Sequence, residues 1–115
     1  MYLICRHGRY INRFEFAFDL GIYGWGNSWL KGGGFGGSTI SSTSLPDCIT
    51  YIIIRAGRYV DAIRFFGDSD YTPYHGGTGG AVYAIFAPSG KCLGDIGMRT
   101  GALVDKICFK FNVSK

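Results

Sequence analysis

A seven-residue pattern occurs three times in this chain: Arg, any residue, Gly, two residues, Ile or Val, then Asp or Asn. The copies are RHGRYIN, RAGRYVD and RTGALVD, starting at Arg6, Arg55 and Arg99. Their glycines are Gly8, Gly57 and Gly101, and they end on Asn12, Asp61 and Asp105. The same alternation follows each copy. Phe14, Ile63 and Ile107 stand two residues on, and Phe16, Phe65 and Phe109 four residues on. A period of two is the strand period, so these six face one core, while Arg13, Glu15, Arg64, Lys106 and Lys110 face water. Asp is a poor strand former, which puts Asp61 where a loop enters a strand. A carboxylate at such a rim can contact a ligand. A plain turn also uses Asp and Gly, and a single copy does not separate the two readings.

A second element recurs. Residues 33–37 read GGFGG and residues 76–80 read GGTGG. So many glycines together cost conformational entropy on folding. They are kept for special backbone angles, or to let a partner approach the amides. A flexible linker is the bland alternative, but these glycines recur in register and form no diffuse Gly/Ser tract. One unit then runs strand, turn, strand, strand, glycine loop, strand. The first unit has strands at 2–6, 9–18, 23–30 and 37–43, and the second at 49–55, 59–66, 70–75 and 81–87. The third has 92–98 and 103–112, and SSTSLPD at 41–47 reads as a turn-rich connection. The units span 2–44, 49–88 and 92–112 of a single domain, 1–115. Each small sheet has one apolar face that it cannot bury alone, and three sheets around an axis can.

Composition agrees with an all-β chain. Glycine contributes 19 of 115 residues and aromatics 17%, with a single Glu, the balance of aromatic strands joined by glycine turns. The net charge of +4 is scattered along the chain, a weak footprint for nucleic acid. Cys5, Cys48, Cys92 and Cys108 form no CxxC pair, so no zinc site is expected. Cys5 and Cys108 fall in strand-like runs and read as small hydrophobes. Reduced thiols are the favoured state, with disulfides left open. No secretory n-region and h-region opens the chain; the location is left open, with cytoplasmic or non-classically secreted as the two readings. No apolar run is long enough to insert in a membrane.

The pairing of GRYVDAI with a following HGGTGG, together with the three-part organisation, resembles the jacalin-related lectins. The resemblance covers most of the chain and is strongest over 49–111. It implies an all-β, β-prism I fold: three Greek-key sheets with pseudo-threefold symmetry. It also implies non-enzymatic binding of mannose/glucose-type glycans or glycoproteins, with no cofactor. Galactose preference in the family goes with a proteolytic cut that this chain does not show. Carried over residue by residue, the best sugar site is Gly57, Arg58, Tyr59 and Asp61 with Gly76 and Gly77. The second is Gly8, Arg9, Tyr10 and Asn12 with Gly33 and Gly34, where an amide replaces the carboxylate and loses its charge. The third is Gly101, Ala102, Leu103 and Asp105, with no glycine loop after it. A carboxylate accepts adjacent sugar hydroxyls, and bare glycine lets the ring approach the amides. Against the family, the chain is short by about two strands. Either the third sheet is incomplete and its open edge recruits a second copy as a homodimer, or shorter loops accommodate every strand.

Other features divide between two readings. His7 and His75 either touch a ligand or pack at a loop base. Trp25 and Trp29 either stack on a sugar or serve the core. Arg9-Tyr10 and Arg58-Tyr59 could hold single-stranded nucleic acid, but the repeat register explains them better. Asp68 and Asp70 lack the rest of a calcium loop. No nucleophile, base and orienter trio stands out. Two competing functions remain: a β-prism with decayed sugar sites that serves structure or interaction, and a basic module for sulfated glycans or other polyanions.

Overall fold

The structure is a computed structural model that describes residues 2–19 and 25–113, and side chains within 3–16 and 30–113. Trp25 and Trp29 therefore lie outside the described side chains. Ten strands are described: β1 (Tyr2–His7), β2 (Ile11–Asp19), β3 (Trp25–Gly33), β4 (Thr39–Ser44), β5 (Tyr51–Ala56), β6 (Val60–Phe66), β7 (His75–Gly76), β8 (Ala81–Phe86), β9 (Lys91–Thr100) and β10 (Val104–Val113). They form three antiparallel sheets, ordered β3-β2-β1-β4, β7-β6-β5-β8 and β10-β9. The first two share a Greek-key order. Among the described residues the third sheet consists of two long strands only.

The alternation that follows the first two Arg-x-Gly copies puts its apolar positions in the core, as the period requires. Phe14, Phe16, Ile63 and Phe65 are fully buried, with Leu3, Ile52, Val60 and Val104 around them. Phe65 of β6 meets Phe16 of β2 edge-on at 6.4 Å and Phe109 of β10 edge-on at 6.4 Å. The same position of each sheet thus reaches the centre, and each edge-to-face pair adds about 0.5–1.5 kcal/mol beyond its buried area. Ile107 and Phe109 were expected in the core. They are only partly buried against it, because a two-stranded sheet covers less of its own inner face.

Four expectations are corrected. The predicted strand over 70–75 shrinks to the two-residue β7 and an isolated bridge from Phe66 to Tyr71. Pro73 has no N–H to give to a ladder. Thr72 instead closes the gap locally: its N–H donates to Phe65 C=O at 2.9 Å, and its Oγ1 accepts from Phe65 N–H at 3.1 Å. In the connection read over 41–47, the first four residues, SSTS, complete β4. Their pairing with β1 outweighs their turn composition. The favoured reduced state fails for two cysteines, since Cys48 and Cys92 form a disulfide that ties the β4–β5 connection to the start of β9. Cys5 and Cys108 are free, and burial pushes the Cys5 thiol up to about 12. Fourth, Gly76 and Gly77 pair with the main chain of β6 rather than facing the Asp61 carboxylate.

Candidate functional site

Each Arg-x-Gly copy turns the chain in the same way. Gly8 N–H donates to Tyr10 C=O at 3.2 Å, Gly57 N–H to Tyr59 C=O at 3.1 Å and Gly101 N–H to Leu103 C=O at 3.0 Å. The turns gather at one end of the sheets. Tyr10 and Tyr59 meet edge-on at 5.3 Å, and Gly34 N–H reaches Ala102 C=O at 3.3 Å. Arg9 and Arg58 lie over their neighbouring tyrosine rings at 5.5 and 6.0 Å.

Asp61 is the second residue of β6 and is only 3% exposed. The β6–β7 register pairs Ala62 with Gly76, and Gly77 N–H donates to the Asp61 carbonyl at 2.9 Å. Gly76 and Gly77 were expected to face the Asp61 carboxylate across a cradle. The structure sets them against its main chain instead, so the Gly77 amide is already spent. A Cβ on Gly76 would run into the Asp61 carbonyl oxygen, and its φ of 126° is one that side chains rarely adopt. The carboxylate faces the far half of the same loop. A Cβ on Gly79 would stand 2.9 Å from Oδ2, and one on Gly80 would stand 2.6 Å from Oδ1. The loop residues that meet the Asp61 carboxylate are therefore Gly79 and Gly80.

Arg55 holds this loop in place. Its guanidinium donates to the carbonyls of Thr78 at 2.8 Å, Gly79 at 3.1 Å and Gly80 at 3.5 Å. That tethers the bare loop across the carboxylate while the carboxylate itself receives no hydrogen bond from the described residues. Neither oxygen is sealed from solvent, so a hydroxyl or water can reach these open acceptors. Arg55 was visible as the first residue of the pattern but carried no role in the sequence reading. Gly79 and Gly80 were visible as the second half of GGTGG.

The first sheet repeats the geometry with an amide. A Cβ on Gly37 would stand 2.7 Å from Asn12 Oδ1, and one on Gly36 3.0 Å from Asn12 Nδ2. Gly34 N–H donates to Asn12 C=O at 3.0 Å, and Gly33 adopts a φ of 110°. Arg6 donates to the carbonyls of Phe35 at 2.8 Å and Gly36 at 3.4 Å. Phe35, 72% exposed, projects from this loop between Arg6 and Arg13. The third turn differs. No glycine loop covers Asp105 among the described residues, and Arg99 turns to Asp105 itself at 4.0 Å.

The histidines belong to packing. Ser41 of β4 bridges them, with its Oγ 3.0 Å from His7 Nε2 and 2.8 Å from His75 Nδ1. The bridge joins the first sheet to the second. Burial lowers both imidazoles below their ordinary range, and His7 lowers His75 further. His75 Nε2 is buried and has no partner among the described residues.

No family model and no curated protein matches the chain. Solved structures do. Artocarpin complexed with methyl-α-mannose aligns with a TM-score of 0.79 at 14% identity, over 97% of this chain and 82% of that one. A galactose-specific lectin from Artocarpus hirsuta, in complex with methyl-α-D-galactose, gives 0.77 at 15% identity, over 97% and 90%. A mannose-binding jacalin-related lectin from Ananas comosus gives 0.70 at 17% identity, over 98% and 81%. The arrangement of sheets around Phe65 is thus a known one, and the chain has the all-β, β-prism I fold of the jacalin-related lectins.

Proposed function

We propose that this protein is a non-enzymatic lectin that binds neutral glycans of the mannose/glucose type at the Asp61 cradle. One observation carries the reading: the carboxylate of Asp61, a residue only 3% exposed, has no partner among the described residues and meets two glycines that an arginine clamps in front of it. Adjacent hydroxyls of a pyranose supply the donors that Asp61 lacks, and a charged acceptor makes these the stronger kind of hydrogen bond. Gly57, Arg58 and Tyr59 form the wall of the site, where the Tyr59 ring can cover the apolar face of a sugar. Gly76 and Gly77 anchor the loop. The sugars bound by the fold's solved examples, methyl-α-mannose and methyl-α-D-galactose, are of this chemistry.

The three internal repeats rank the sites. Asn12 with Gly36 and Gly37 keeps the shape and loses the charge, with Gly8, Arg9, Tyr10, Gly33 and Gly34 around it, so it binds more weakly. Asp105, with Gly101, Ala102 and Leu103, keeps the charge and lacks the loop, so it does not bind alone. A glycan array carrying neutral and sulfated chains tests the reading. Neutral mannosides bound equally at low and high salt support it. Binding confined to sulfated chains and lost in salt indicates a basic surface instead.

A further inference from the structure

The edges of the three sheets are not alike. A sheet edge offers unpaired N–H and C=O groups, and proteins blunt such edges with charge, proline, bulges or brevity. Among the described residues, β7 is two residues long and follows Pro73. β3 carries Lys31, and its pairing with β2 is twice interrupted. β4 is TISSTS, a strand of hydroxyls. β9 carries Lys91, Asp95 and Arg99, and β10 carries Lys106 and Lys110, with two register shifts between them. β8 has none of these devices; β4 also lacks them, but β8 alone is apolar where β4 is hydroxylated. β8 reads AVYAIF, has no charge, pairs with β5 without a shift, and is almost wholly exposed: Val82 55%, Tyr83 56%, Phe86 67%.

The free groups on β8 can be identified. Ala87 N–H donates to Thr50 C=O at 2.8 Å, in the register that pairs Phe86 with Tyr51. Antiparallel ladders alternate, so Ile85, Tyr83 and Ala81 bond to β5, and Phe86, Ala84 and Val82 point their backbone groups outward. The side chains of those three residues lie on the outer face of the sheet. Phe86 stacks there on Tyr51 at 4.4 Å and 9°, and Tyr51 meets Phe66 at 4.8 Å.

We infer that β8 pairs with β8 of a second copy, antiparallel across a twofold axis at Ala84. This register sets Ala84 opposite Ala84 of the second copy and Val82 opposite its Phe86. Each of the three outward residues then exchanges both backbone bonds with its opposite number. Slipping by one residue would turn Tyr83 and Ile85 to the wrong face. Slipping by two would set Phe86 opposite Gly80 in one direction and Val82 opposite Pro88 in the other, each outside the strand. The chosen register also extends the aromatic row of Phe86, Tyr51 and Phe66 across the junction, with Val82 of the second copy against Phe86. No like charges meet on β8, and Arg55, the nearest cation on β5, is already committed to the glycine loop. A partner identical to the strand itself satisfies shape, register and charge together. The third-sheet edge expected from the sequence is the better guarded one.

Sedimentation equilibrium of the full chain tests this. The wild type is expected at twice the 12.6 kDa of one chain. Ala84→Lys places two ammonium groups face to face on the axis, and Ala84→Pro removes an outward N–H that the single chain does not use. Both are expected at the single-chain mass, with the far-ultraviolet spectrum of the wild type. A second experiment needs no disruption of the pair. In a Cys108→Ser background, Ala84→Cys should cross-link to itself on oxidation, since opposed residues of a bonded pair stand about 5.5 Å apart. Val82→Cys, which faces Phe86 of the second copy, should not. A wild type that keeps the single-chain mass overturns the inference. So does a lysine variant that keeps the doubled mass, or self-cross-linking at Val82→Cys in place of Ala84→Cys.

Discussion

The Asp61 carboxylate occupies the space that a side chain on Gly80 would need: a Cβ there would lie 2.6 Å from Oδ1. The glycine loop is bare for a local reason, which separates it from a flexible linker. Gly80 has a φ of 75°, so it is held in place by backbone angle as well as by space.

Gly80→Ala should therefore cost more than its backbone angle alone. Gly90 offers a control, with a φ of 78° and nothing within 4 Å of a built Cβ. Gly90→Ala is expected to lose about 1–2 kcal/mol of stability from the left-handed backbone. Gly80→Ala is expected to lose more in denaturant titration and to weaken sugar binding as well, since Asp61 must move. Equal losses would mean that neither the Asp61 carboxylate nor the Ala56 main chain, 2.8 Å from the same Cβ, presses on the loop.

Phe65 joins the three sheets, and its truncation should show it. Phe65→Ala is expected to cost about 3–5 kcal/mol, the range for a buried aromatic. Phe109→Ala, at a partly buried position, should cost less. Urea unfolding of both variants checks the order.

The Cys48–Cys92 disulfide closes a span of 44 residues. Loop-closure entropy puts its worth at about 4 kcal/mol. Reduction should lower the unfolding midpoint by a corresponding amount, while Cys48→Ser with Cys92→Ser should match the reduced protein. In the native protein, thiol reagents should modify exposed Cys108 and spare buried Cys5.

Burial of His7 and His75 makes stability depend on pH. Both histidines titrate below the ordinary value of 6.5 in the folded chain, so the unfolded chain binds protons first. Stability is then full above pH 6.5 and declines as pH falls from there through the lowered folded values. His75→Gln should flatten this decline in unfolding curves measured from pH 7.5 to 5, a window set about the reference value. An unchanged slope would place the titration elsewhere.

Much of this architecture is legible in the sequence, and the reasons are physical. The strand period after each Arg-x-Gly copy is set by side-chain alternation, so Phe14, Phe16, Ile63 and Phe65 could be assigned to the core from spacing alone. Asp61 announces itself by standing at the entry of a strand that disfavours it. The half of the loop that meets its carboxylate was not legible. That depends on the pairing of Ala62 with Gly76, which spends the near glycines on the Asp61 main chain. The Cys48–Cys92 link left no spacing signal, because it joins a connection to a distant strand. The lost strand at 70–75 did leave one, in Pro73.

The central claim is that the Asp61 carboxylate, facing Gly79 and Gly80, accepts the hydroxyls of a neutral sugar. Calorimetric titration of methyl-α-mannoside into the wild type, Asp61→Asn and Asn12→Ala tests it most directly. A charged hydrogen bond is worth about 1.5–3 kcal/mol, so Asp61→Asn should weaken binding by roughly tenfold to a hundredfold. Asn12→Ala should change it little. Equal affinity of the wild type and Asp61→Asn would contradict the account.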